Sequence, residues 1–121
     1  MKMLKAVICS FLLLSCSNNQ ICFDRVRKLV YSCDNYYIKK IIVTDLTDNI
    51  SYYITPKKRI KDINLKYGFT EFDVISFNKK IDKFKLIKNH LYEIKNISES
   101  DAAAGKLKFY INSADEIIST P

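Results

Sequence analysis

The sequence predicts an all-β fold, an antiparallel sandwich of about seven to eight strands. Two observations carry that expectation. Apolar residues recur at every second position through most of the chain from Ile21 to Asn112, the pattern of strands with one buried face and one wet face. Leu86, Asn89 and Tyr92 have the spacing of a corner between two such strands. There is no internal repeat, low-complexity tract or interdomain linker, so residues 21–121 read as a single domain.

The elements follow in order. The stretch 21–24 (ICFD) is a short first strand and 28–33 (KLVYSC) a second. The segments 36–46 and 49–55 flank Thr47-Asp48 as a hairpin, and Pro56 with the basic run 57–59 closes that pair, because proline cannot donate to a ladder. In 60–68 the alternation falls on Ile63 and Leu65, and Gly68 marks a turn before the strand 72–77. The stretch 78–88 is ambiguous: Phe77, Ile81, Phe84 and Leu91 fit a helical stripe, whereas Phe84 and Leu86 alternate. It reads as a loop or helical turn followed by a strand at 83–87. Residues 92–98 form the next strand, 99–105 (ESDAAAG) a loop, and 106–112 a last strand with Leu107, Phe109 and Ile111 facing in and Lys106, Lys108 and Tyr110 facing out.

The stretch 86–92 (LIKNHLY) resembles the tyrosine corner of Greek-key sandwiches, with Asn89 where glycine usually sits. A corner needs a residue that tolerates a left-handed backbone, and asparagine is the next best after glycine. The resemblance implies that the Tyr92 hydroxyl bonds upstream backbone and that the sandwich is immunoglobulin-like.

The first residues read differently. Lys2 and Lys5 are the only charges before Asp24, and the run from Ala6 to Leu14 is apolar apart from Ser10. So short a run cannot cross a hydrocarbon core, which takes ~20 helical residues. A basic start, a short apolar middle and a small residue at the break describe a signal peptide, residues 1–15; a core helix is the plain alternative. Leu13-Leu14-Ser15-Cys16 resembles the lipobox of bacterial lipoproteins. That resemblance implies a lipid on Cys16, cleavage after Ser15, and a polar tether over residues 16–20. It also implies membrane attachment through the lipid, in the periplasm. With Ser17 rather than aspartate after the cysteine, it points to the inner leaflet of the outer membrane.

The formal charge is +7, of which Lys2 and Lys5 supply two. The excess reflects either the coding bias of a chain heavy in Lys, Ile, Asn and Tyr or an acidic partner approached by electrostatic steering. Nucleic acid does not suit a periplasmic address. Cys22 and Cys33 remain beyond Cys16, and in an oxidising compartment they read as one disulfide, with two buried free thiols as the alternative. Enzyme chemistry is not expected. His90 is the only histidine and falls in the corner turn, where solvent is its expected surrounding, and no triad assembles around it. Asp115-Glu116 and Glu99 with Asp101 read as loop acids, the two glycines form no phosphate cradle, and neither a metal nor a cofactor is expected.

Several features together resemble small lipoproteins of type VI secretion immunity: the lipobox, the polar tether, Ile21-Cys22-Phe23, the strand after Asn89 and the final Phe109-Tyr110-Ile111. Many relatives follow the lipid cysteine with Pro-Gly, where this chain has Ser17-Asn18. The resemblance implies a monomeric periplasmic protein that binds and neutralises a secreted antibacterial toxin. The alternative is a structural lipoprotein of a secretion or envelope complex. Loop 99–105 is the expected contact, represented by Glu99, Asp101 and Ala103, together with Tyr110 on the neighbouring strand. Tyr36, Tyr37, Tyr52 and Tyr53 include side chains that must point outward, because strand neighbours face opposite ways.

Overall fold

A computed structural model describes residues 19–66, 68–98 and 105–120. The described residues form strands and turns and no helix. The alternating pattern resolves into β1 (Ile21–Asp24), β2 (Leu29–Ser32), β3 (Ile41–Asp45), β4 (Ile50–Pro56) and β5 (Asp62–Asn64). It continues through β6 (Phe72–Ser76), β7 (Lys79–Lys80), β8 (Leu91–Asn96), β9 (Gly105–Ile111) and β10 (Ile117–Thr120). They make two antiparallel sheets, a three-stranded one in the order β1-β2-β5 and a seven-stranded one in the order β10-β9-β8-β3-β4-β6-β7.

Period-two burial explains the pairing. Ile41, Val43 and Asp45 face inward from β3, opposite Ile54 on β4 and Asn96, Ile94 and Tyr92 on β8. Phe109 and Ile111 continue that face on β9, and Ile117 on β10. Ile21, Val30 and Ile63 meet it from the smaller sheet. Burying such side chains is the main favourable term, and cutting one to alanine costs about 2–5 kcal/mol. Cys22 and Cys33 form a disulfide with Cα atoms 5.5 Å apart, which ties β1 to the residue after β2.

The sheets are unequal in width, and the sequence pattern does not say so. The smaller sheet leaves part of the larger one's inner face to be covered by connections. Phe84 meets Tyr52 at 4.4 Å and Phe69 at 5.2 Å with tilted rings, and Ile81 and Leu86 also pack against the core. The expected strand at 83–87 is therefore not a strand: its alternating apolar residues form a flap over the core. Likewise, strand structure begins only at Ile41 and not at residue 36. Residues 36–40 carry the chain from one sheet to the other; Ile38 is buried, and its N–H donates to the Ile60 carbonyl at 2.8 Å.

Two strands lie where none was expected. β7 pairs with β6 around the two-residue turn Phe77-Asn78, both at positive φ (50° and 62°), as a tight I′ hairpin requires. β10 follows a turn organised by Asn112, whose Oδ1 accepts the N–H groups of Ala114 and Glu116. The order β9-β8-β3-β4 beside β1-β2-β5 is that of a Greek-key sandwich; β6-β7 and β10 widen the larger sheet at its two edges.

Candidate functional site

The strands of this sandwich all end at one of two poles. One pole holds the turns 25–28, 46–49 and 112–116 and the corner before β8. There Asp45, at the inner end of β3, caps its own hairpin: Oδ1 accepts the N–H groups of Thr47 and Asp48, both at 3.0 Å. Its Oδ2 lies 2.7 Å from His90 Nδ1. The Asp45 side chain is 2% exposed and the imidazole 17%, so His90 is a half-sunk partner of a buried carboxylate and not the solvated side chain expected. Because a carboxylate can only accept, Nδ1 carries the proton of that bond. Asp48 Oδ2 lies a further 3.8 Å from the same nitrogen.

Asp45, Asp48 and His90 place one nitrogen and two carboxylates within 4.8 Å of one another, a donor set compatible with a divalent ion. The hydrogen bonds of the cluster already account for its arrangement, since both Asp45 oxygens are engaged. Among the described residues no hydroxyl or thiol hydrogen-bonds the imidazole, and the neighbouring Thr47 Oγ1 accepts the Leu91 N–H at 2.9 Å. The cluster thus pins the β3–β4 turn to the corner and to the start of β8.

The corner itself is formed. Asn89 has φ 65°, Leu86 packs against the core, and Tyr92 is buried with its ring 5.6 Å from Phe109. The Tyr92 hydroxyl accepts the Ile87 N–H at 2.7 Å, so the upstream backbone group it serves is a donor. Burial pushes the Tyr92 phenol up to about 12, an effect that hydrogen bond opposes and the nearby Asp45 charge reinforces. Burial, followed by the charges of Asp45 and Asp48, raises the Tyr52 phenol as well.

The edge of the larger sheet is different in character. Tyr53 pairs with Ile75 on its outer face, with Ile42 alongside, and Phe77 stands at the hairpin tip. Tyr53 and Ile75 are each 46% exposed and Phe77 78%. A phenylalanine at positive φ is strained, since the left-handed region costs a residue with a β-carbon about 1–2 kcal/mol. Packing does not repay that cost here, because the ring faces solvent. Lys80, Lys95 and Lys106 flank this apolar row in the pairing register.

The second pole is basic. Lys57, Lys58 and Arg59 follow β4, Lys61 precedes β5, and Lys39 and Lys40 precede β3. Arg59 and Lys61 lie over the exposed Tyr37 ring at 5.6 and 5.0 Å. The Lys58 ammonium, 2.7 Å from Glu71, holds that carboxyl below its ordinary range, first by hydrogen bonding and then by charge.

Of the expected contacts, Glu99, Asp101 and Ala103 lie outside the described residues, as do Cys16 and the lipobox. Tyr110 faces outward on β9, half-buried, with its hydroxyl 3.4 Å from Asn89 Oδ1. The Asp45–His90 pair joins residues far apart in the chain, and only the Asp-x-Thr-Asp hairpin signature hinted at half of it. Phe77 before an asparagine was a turn signal read as the end of a strand.

The fold and these surfaces define a class, an all-β antiparallel sandwich with a bridged first hairpin. Comparison with protein-family models, curated proteins and solved structures finds no match. Among the described residues, no helix is long and apolar enough to cross a membrane.

Proposed function

We propose that this protein is a lipid-anchored periplasmic lipoprotein that binds and neutralises a secreted antibacterial toxin without turnover. The observation that supports the binding role is the Tyr53–Ile75–Phe77 edge, where large apolar side chains stay in solvent and one strains its backbone to do so. Aromatic anchors inside a polar rim suit a protein interface, and the flanking lysines favour an acidic partner. The lipobox 13–16 supports the address and the anchor.

The test is a contact-killing assay. Deleting the gene sensitises cells to toxin-proficient siblings, and the wild-type chain restores protection. The double variant Tyr53→Lys/Ile75→Lys fails to restore it while its denaturation midpoint stays near that of wild type. Survival of the deletion strain against every sibling attacker overturns the immunity reading and favours a structural lipoprotein. Full protection by the double variant overturns the assignment of this edge.

A further inference from the structure

We propose that the basic pole of the sandwich, where the chain leaves for its tether, is a docking surface for the phosphate headgroups of an anionic phospholipid leaflet. The biological setting rests on the lipid-anchor reading above; the surface stands on geometry. Asn19 and Gln20 are fixed at this pole. The Asn19 carbonyl accepts the Gly105 N–H and the Gln20 carbonyl the Cys33 N–H, each at 3.1 Å. The neighbouring Ser32 N–H donates to the Lys61 carbonyl at 2.9 Å, so the start of the domain lies beside the β4–β5 connection.

That connection and the one before β3 border a cleft of about 550 Å³ lined by Tyr37, Lys39, Lys57, Lys58 and Arg59 among others, with no carboxylate among the described residues of its lining. The carboxylates nearby in the described structure are Asp34, Asp62, Glu71 and Asp73, and Glu71 is already paired with Lys58. Glu99 and Asp101, in the segment 99–104 between β8 and β9, lie outside the described residues. Tyr37, 41% exposed, offers an apolar ring with a polar tip, which suits the headgroup level of a bilayer.

Reach decides whether these charges matter. The three residues from Cys16 to Asn19 span at most about 10 Å fully extended. That equals roughly one Debye length at ~0.1 M salt, so a lipid on Cys16 brings the cleft within range of leaflet charge. A basic patch beside an acyl anchor supplies the second signal that stable attachment draws on.

The test uses the unlipidated chain from Asn19 onward, which retains both sheets, the bridge and the whole core. It is sedimented with vesicles of phosphatidylglycerol and phosphatidylcholine in equal parts, and with phosphatidylcholine alone. Binding to the mixed vesicles is expected, weakening as salt rises. Each basic residue near the surface contributes about fivefold, so Lys57→Gln/Arg59→Gln/Lys61→Gln lowers binding by at least about tenfold. The matched triple Arg25→Gln/Lys66→Gln/Lys88→Gln at the opposite pole removes the same charge and changes binding by less than about twofold.

Equal losses in the two triples overturn the proposal, because net charge alone then explains binding. Equal binding to neutral vesicles, or none to the mixed ones, overturns it too and leaves the pole as a contact for an acidic protein. Displacement by inorganic phosphate beyond a matched concentration of sodium chloride marks a free-phosphate site and overturns the commitment to a leaflet. Palmitate labelling of the full chain reads the anchor separately, so its failure and the failure of this surface are distinguishable.

Discussion

Replacing Tyr92 by phenylalanine removes one oxygen and tests the architecture at its corner. The ring keeps its place against Phe109. The Ile87 N–H, which donates to that oxygen at 2.7 Å, loses its partner. The bond is part-buried, and losing it costs about 1 kcal/mol. With a urea slope of about 1–2 kcal/mol per molar for a domain of this size, the denaturation midpoint falls by up to ~1 M. The same variant carries a second, independent signature in pH. The folded phenol titrates near 12 against 10.0 for an ordinary tyrosine, so above pH 10 the unfolded chain gives up its proton first. The unfolded state then binds fewer protons, and stability falls as pH rises through that window. Below the unfolded value the contribution is fully present. Across the window the loss amounts to about 2–3 kcal/mol at roughly 1.4 kcal/mol per unit. The phenylalanine variant lacks this term, so its deficit against wild type shrinks between pH 10 and 12. Lysine ionisation is common to both chains and cancels in the difference. The assay is urea denaturation at neutral pH and at steps through the alkaline window. An unchanged neutral midpoint, or a deficit constant across the window, refutes the reasoning.

Other perturbations have equally definite outcomes. Opening the Cys22–Cys33 bridge, which spans 11 residues, should lower stability by about 2–3 kcal/mol, read as a midpoint shift on adding reductant; no shift argues against a constraining bridge. Phe77→Asn keeps the positive φ that the hairpin needs and removes the β-carbon penalty of an aromatic there, so it should raise stability by about 0.5–1 kcal/mol while weakening protection in the killing assay. A loss of stability would show that the ring packs in solution. Cys16→Ser should abolish palmitate incorporation and leave the precursor uncleaved, and continued labelling would sink the lipid anchor.

Much of this fold was legible because its signals are local. The inward triplet Leu107, Phe109 and Ile111, the positive φ at Asn89 and the partnership of Cys22 with Cys33 each follow from a short-range rule: alternation, turn chemistry, or the redox pairing of thiols. The misreadings share a different cause. Residues 83–87 alternate like a strand because Phe84 and Leu86 turn toward the core, and residues 36–40 read as one because Ile38 is buried between exposed neighbours. Alternation reports burial on one side. It does not report whether a neighbouring strand is there to take the hydrogen bonds. That depends on the unequal width of the two sheets, a property of the whole chain.

The candidate surfaces divide along the same line. The Asp45–His90 bond joins positions 45 residues apart, and the basic pole gathers cations from two separate connections, so no short window of sequence could contain either. Phe77, by contrast, stands in a single turn dipeptide, yet the alternation assigns it to the strand 72–77. Its position is informative because the local preference and the observed backbone disagree. A chain selected only to fold would place Asn or Gly at both turn positions and keep the ring in the core. The ring instead stands 78% exposed in the turn between β6 and the edge strand β7, where uncovered apolar surface is a liability for aggregation. Two costs, strain and exposure, fall on one hairpin, and a partner that covers it would offset both. The basic pole lies at the far end of the same sheet, so a domain held by that pole would turn this hairpin away from the anchor.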